Sequence, residues 1–207
     1  MDHVIFRTPF FLPLLYPGLL WRVPTNEKKL YLTFDDGPVN GPTEFVLEEL
    51  KRFDAKATFF CIGNNVEQHP QIHQRILQEG HAVGNHTFNH IKGWNVSVDS
   101  YLKDVERCQN LVGPTKLFRP PYGRAKRSQL KKLSDYRIVM WDVLSYDYSN
   151  SVAKETCLKG VIRASRSGSI IVFHDSYKAE KNMMHALPRV LDHFKQSGYQ
   201  FESLSDL

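Results

Sequence analysis

No stretch of this sequence is long and apolar enough to cross a bilayer, which takes about 20 consecutive apolar residues. The nearest approach, Phe10 to Trp21, is broken by Pro13, Pro17 and Gly18. Cysteine is scarce too: Cys61, Cys108 and Cys157 stand far apart with no Cys-x-x-Cys pair, so neither a disulfide framework nor a thiolate zinc site is indicated. No fixed-period repeat, low-complexity tract or linker divides the chain, so one domain is expected. Strong charge of either sign is also missing, the net being +5. That excess leans weakly towards anionic partners. The densest basic run (Arg124, Lys126, Arg127, Lys131, Lys132) has no interleaved aromatics to stack on bases, so it reads as a solvated helix face and no nucleic-acid partner is expected.

What is present suits one sizeable core: 207 residues, 42% hydrophobic and 24% charged. The segment Phe10 to Trp21 is like a short signal h-region. Asp2 precedes it, however, prolines and a glycine interrupt it, and no small-x-small cleavage site follows. Residues 1–28 are therefore expected to be an apolar segment packed on the body of the protein, 29–207 the main domain, and the chain a cytoplasmic one.

Beyond that segment, apolar β-type runs alternate with amphipathic helical patterns. Strands are expected at Lys29 to Phe34, Ala57 to Cys61, His81 to Asn85, Lys116 to Arg119, Arg137 to Trp141, Ser169 to His174 and Tyr199 to Glu202. Helices are expected at Thr43 to Phe53, Pro70 to Glu79, a stretch capped by Ser97, Ser128 to Leu133, Val152 to Ala164 and Met183 to Gln196. This alternation predicts a parallel sheet in the α/β class. Seven such units can close a compact, irregular (β/α)7-8 barrel, whereas the competing doubly wound open sheet would need only five or six. In such a barrel reactive groups gather at the carboxyl ends of the strands. Asp35 and Asp36 end the first strand, His86 follows the third, Arg119 ends the fourth, Asp147 follows the fifth and His174 ends the sixth.

Four stretches carry chemistry. In Thr33-Phe34-Asp35-Asp36-Gly37-Pro38 a strand runs into two adjacent carboxylates and a turn. Both can serve one site only if the turn re-aims one of them, and their repulsion calls for a cation or a shared proton. One Asp as metal ligand and the other as base is the functional reading; a solvated acidic turn is the plain one. His86-Thr87-Phe88-Asn89-His90 spaces two imidazoles by four residues, which puts them on one side of a helical turn. With Asp36 they would make three protein ligands and leave a place for water, as in catalytic zinc sites. Taken alone, the pair reads equally as surface or core histidines. Arg119-Pro120-Pro121-Tyr122-Gly123 is either a rigid connector or a stiff loop that aims Arg119 at Asp35. Gly168 to Asp175 is a buried strand ending in His174, placed as a general acid if a carboxylate such as Asp147 raises its pKa, or else simply capping the strand.

Together and in this order, the four stretches resemble the polysaccharide deacetylase family, the NodB homology domain of carbohydrate esterase family 4, over about Lys29 to Leu204. The resemblance implies a distorted TIM-like barrel with Asp36, His86 and His90 as metal ligands, Asp35 as base and His174 as acid. It further implies that Arg119 pairs with Asp35, Asp147 with His174, and that the Tyr122 N–H binds an oxyanion. The implied metal is zinc first, with cobalt, nickel or manganese suiting the same ligands. The implied reaction is removal of N-acetyl groups from an acetylated amino sugar of chitooligosaccharide or peptidoglycan type. The alternatives on the same fold are an acetylxylan-type O-deacetylase, a small amide or ureide hydrolase, or a non-catalytic glycan-binding module. One motif departs from the family pattern: where Asp-x-x-Asp-Trp is usual, this chain has Leu144-Ser145-Tyr146-Asp147-Tyr148. The wall expected to take the acetyl methyl, Tyr148 and Val172, is altered accordingly.

Overall fold

The structure, a computed structural model, describes residues 4–205; residues 1–3 and 206–207, the ends of the two expected segments, lie outside the described residues. In chain order the elements are α1 (Phe11–Leu15), β1 (Lys29–Asp35), α2 (Pro42–Arg52), β2 (Ala57–Cys61), α3 (Gly63–Gln68), α4 (Pro70–Gln78), β3 (Ala82–Asn85) and α5 (Val98–Val112). There follow β4 (Leu117–Phe118), α6 (Arg127–Lys132), β5 (Arg137–Ile138), β6 (Val143–Leu144), α7 (Lys154–Ala164), β7 (Ile170–His174), α8 (Glu180–Gln196) and β8 (Gln200–Phe201). The strands pair in parallel in the order β5-β4-β3-β2-β1-β7-β6, with β8 joining the start of β1. The result is a distorted, incompletely closed (β/α) barrel, as the family resemblance implies.

Period-two alternation in the central strand sorts the two sides of the sheet. Leu30, Leu32 and Phe34 point outward, into the main core with Val46, Leu47, Leu187 and Val190 of α2 and α8. Phe34 sits between the rings of Phe59 and Phe173, at 5.1 and 6.2 Å. Truncating such a fully buried ring to alanine costs about 3–5 kcal/mol. Tyr31 points to the other side, into a smaller cluster with Phe60, Leu117, Val139 and Ile170. Thr33 and Asp35 continue that inward row, so the last inward position of β1 is a carboxylate.

Local signals set the helix ends. Pro42 opens α2 and Glu44 reaches back to the Gly41 N–H at 2.8 Å. Ser97 caps α5 by accepting from the Ser100 N–H at 3.1 Å.

Two details differ from the sequence expectation. The run Arg137 to Trp141 is not one strand. Arg137–Ile138 pairs with β4, the next residues exchange backbone bonds with Leu20 (Leu20 N–H to Ile138, 2.9 Å; Met140 N–H to Leu20, 2.7 Å), and Val143–Leu144 pairs with β7. One extended stretch therefore passes from one edge of the sheet to the other, and Leu20 sits in the gap. Two short helices, α1 and α3, also lay outside the expected elements.

Candidate active site

The site is assembled at the carboxyl ends of the strands, and the register explains why. Asp35 on β1 lies beside His174 on β7, and Asn85 on β3 beside Phe118 on β4. The residues that follow Asn85 and Phe118, His86 and Arg119, thus emerge at the same rim.

Arg119 organises this rim. It is fully buried, donates to Asp35 Oδ1 at 2.6 Å and Thr33 Oγ1 at 2.8 Å, and reaches the carbonyls of Val139 and Met140 at 3.2 and 2.9 Å. Its guanidinium stacks over the Phe60 ring at 4.1 Å. Its own carbonyl lies 2.7 Å from His86 Nδ1. That contact makes Nδ1 the protonated nitrogen and leaves the Nε2 lone pair bare. One residue therefore holds a carboxylate with its side chain and fixes an imidazole tautomer with its backbone.

Asp36 is turned away from the strand direction by a left-handed backbone, φ 80°. Its carbonyl accepts from Asn65 Nδ2 at 2.7 Å, and Asp175 secures the turn behind it by accepting from the Gly37 N–H at 3.0 Å and Thr43 Oγ1 at 2.7 Å. Asp36 Oδ1 stands 3.1 Å from His90 Nε2 and 3.7 Å from His86 Nε2. Asp36, His86 and His90 each offer a donor atom within 4.8 Å of the others, the cluster of this kind found among the described residues. The protonation of Asp36 and His86 suits a cation. Burial drives His86 down to about 4, so it is neutral at physiological pH. Burial alone would raise Asp36, but the His90 hydrogen bond and the nearby imidazoles hold it well below the usual carboxylate range.

The histidine pair does not converge by a helical turn. Thr87 and His90 both have left-handed backbones, φ 63° and 52°, and the loop is pinned from α5, where Asp104 Oδ2 accepts from the N–H groups of Phe88 (2.8 Å) and Asn89 (2.9 Å). The four-residue spacing was informative, but its geometric cause is this loop.

On the far side, Asp147 follows β6 rather than a long fifth strand. Its Oδ1 lies 2.8 Å from His174 Nδ1, and its Oδ2 accepts the His174 backbone N–H at 2.7 Å. Burial disfavours imidazolium at His174, yet the charge and hydrogen bond of Asp147 outweigh it and raise the pKa to about 9. The ring of Tyr148 meets that of His174 edge-on at 4.9 Å. A cleft of about 510 Å³ joins both halves, with Tyr122, Trp141, Leu144, Tyr148 and Val172 on its walls and Lys178 at its edge. Tyr122 has φ 59°, and its backbone N–H donates to no backbone acceptor among the described residues.

All ten residues singled out in the sequence line this cleft or contact residues that do. Asn65, Asp104 and Asp175 were missed, although Asp175, a carboxylate directly after His174, carried a signal in its position. Asn65 and Asp104 had none, because their partners lie on loops distant in sequence.

A buried carboxylate paired with arginine, an Asp/His/His donor set and a histidine paired with a carboxylate gather at the carboxyl rim of a distorted barrel, a set of groups suited to hydrolysing an acyl bond. The family model described as polysaccharide deacetylase matches residues 22–141. The chain is 35% identical over 195 residues to a peptidoglycan-N-acetylglucosamine deacetylase of Bacillus cereus, covering 90% of this chain and 91% of that one. It is 34% identical over 194 residues to the peptidoglycan-N-acetylmuramic acid deacetylase PdaC of Bacillus subtilis, covering 89% of this chain and 40% of that one. A crystal structure of a peptidoglycan N-acetylglucosamine deacetylase in complex with 4-naphthalen-1-yl-N-oxidanyl-benzamide superposes with a TM-score of 0.87 at 32% identity, over 95% of both chains. The chain belongs to the polysaccharide deacetylase family and is a hydrolase of carbon–nitrogen bonds other than peptide bonds.

Proposed function

We propose that this protein removes N-acetyl groups from an amino-sugar glycan of chitooligosaccharide or peptidoglycan type, with Asp36, His86 and His90 holding a divalent ion. The observation that carries this reading is the convergence of the Asp35–Arg119 pair, the three-donor set and the His174–Asp147 pair on one cleft. When bound, such an ion would supply a Lewis acid for the acetyl carbonyl and would make water a nucleophile near neutral pH.

The chain's own residues do the rest. Asp35, paired with Arg119 at 2.6 Å, takes a proton from the attacking water. The Tyr122 N–H, which has no backbone acceptor among the described residues, receives the developing oxyanion, a contribution of roughly 3–4 kcal/mol where such a donor has been removed. His174 enters as imidazolium and gives its Nε2 proton to the departing nitrogen, while Asp147 holds Nδ1. Water adds, the carbon–nitrogen bond breaks, and free amine and acetate leave. Tyr148 and Val172 form the wall for the acetyl methyl.

The glucosamine and muramic acid deacetylases among the relatives support an acetylated amino sugar as substrate. The test is acetate release from acetylated chitooligosaccharides, peptidoglycan fragments, acetylxylan and small amides. Release from the amino sugars supports the reading; release from acetylxylan or small amides alone, or from nothing, overturns it.

A further inference from the structure

The fold leaves α1 uncovered. Phe10, Phe11, Leu14 and Leu15 are 82, 48, 73 and 61% exposed, and no residue of the helix is buried. Single exposed apolar residues are ordinary, but four large ones within six positions form a patch of the kind that meets a partner. The patch is not on a loose arm. Before it, the Thr8 N–H donates to Asp142 at 2.8 Å; after it, Leu20 bonds to both Ile138 and Met140. The apolar turn is therefore presented from a fixed base.

A second observation says what it faces. Between Arg124 and Arg137 there are six basic residues and one acidic residue, Asp135. Their excess equals the net charge of the whole chain, so the remainder is balanced. All six are exposed. The stretch adjoins α1, because the Arg127 guanidinium lies 5.6 Å from the Tyr16 ring centroid and Leu19 packs on the cluster that contains Leu133 and Ile138.

We propose that α1 and the neighbouring basic stretch form a docking surface for an anionic lipid bilayer, with Phe10, Phe11, Leu14 and Leu15 in the interface and Arg127, Lys131 and Lys132 against the headgroups. Apolar side chains flanked by concentrated positive charge are what such a surface selects. A second copy of the chain would bring two basic stretches together, which like charges oppose. A soluble polyanion would engage the basic residues and leave the leucines and phenylalanines in water. The five residues of α1 are far too few to span a bilayer, so the protein lies on the surface. This inference is independent of the acetyl chemistry.

The test is cosedimentation of the full chain with vesicles of phosphatidylcholine alone and of phosphatidylcholine mixed with phosphatidylglycerol. Three basic groups near the surface imply about a hundredfold stronger binding to the anionic vesicles, weakening with salt. Combining Phe10→Ser with Leu14→Ser should abolish binding without moving the melting temperature or acetate release from a soluble oligosaccharide. Lys131→Glu with Lys132→Glu should remove the preference for anionic lipid and spare the fold. Absence of vesicle binding, equal binding to both vesicles, or a solution dimer that the Phe10→Ser and Leu14→Ser variant dissociates would each overturn the proposal.

Discussion

Replacing Asp147 by asparagine separates what its charge does from what its shape does. The asparagine carbonyl can still accept from His174 Nδ1–H and the Tyr148 N–H, the two groups that Asp147 Oδ1 now receives at 2.8 and 3.0 Å. Tautomer and ring position survive, while one backbone contact, from the His174 N–H to Oδ2, is lost. What disappears is the negative charge. In the native site it helps carry the His174 pKa from 6.5 to about 9 against a burial penalty of opposite sign. That gap corresponds to about 3 kcal/mol in favour of imidazolium. A general acid works only in its protonated form, so native activity should persist until pH rises through about 9. With the charge gone and the burial retained, the alkaline limb should move at least one pH unit towards acid. Should the pKa return all the way to 6.5, the protonated fraction at about pH 8 would fall by roughly thirtyfold. The assay is the pH profile of kcat/KM for acetate release. An alkaline limb that stays in place would refute His174 as the acid, and movement of the acid limb alone would assign the titration to another group.

Other perturbations report on other parts of the rim. Asp35→Asn should lower kcat by at least about a hundredfold and keep metal binding, whereas His86→Ala should lose both; metal content beside acetate release distinguishes them. Arg119→Met leaves Asp35 as an unpaired buried carboxylate and should destabilise the fold by about 3–5 kcal/mol, read from urea unfolding. Gly37→Ala would push a methyl group into the Asp175 carboxylate and disturb the turn that aims Asp36. Zinc titration should show about ten- to hundredfold weaker binding, and unchanged affinity would mean the turn does not position the ligand.

Much of the architecture was legible because its signals are local. Buried parallel strands such as Ile170–His174 read as short apolar runs, and Pro42, Ser97 and Gly198 mark helix boundaries by their own backbone preferences. The rim residues were legible for a related reason: a polar side chain ending an apolar strand has few places to go except the mouth of the barrel. What stayed hidden depends on contacts distant in sequence. The break after Ile138 is made by Leu20, more than a hundred residues earlier, and no turn residue announces it. The left-handed turn at Thr87 and His90 relies on Asp104, which in sequence is one more carboxylate on an amphipathic helix. The double duty of Arg119, side chain on Asp35 and carbonyl on His86, needed the register of β3 and β4.

The claim beneath all of this is that Asp36, His86 and His90 share an ion without which the acyl bond is not broken. Acetate release should be followed on one preparation stripped with a chelator and then given one equivalent of zinc. The account predicts loss of turnover on stripping and its return on readdition, with one ion retained per chain. Undiminished acetate release from fully stripped protein would contradict it.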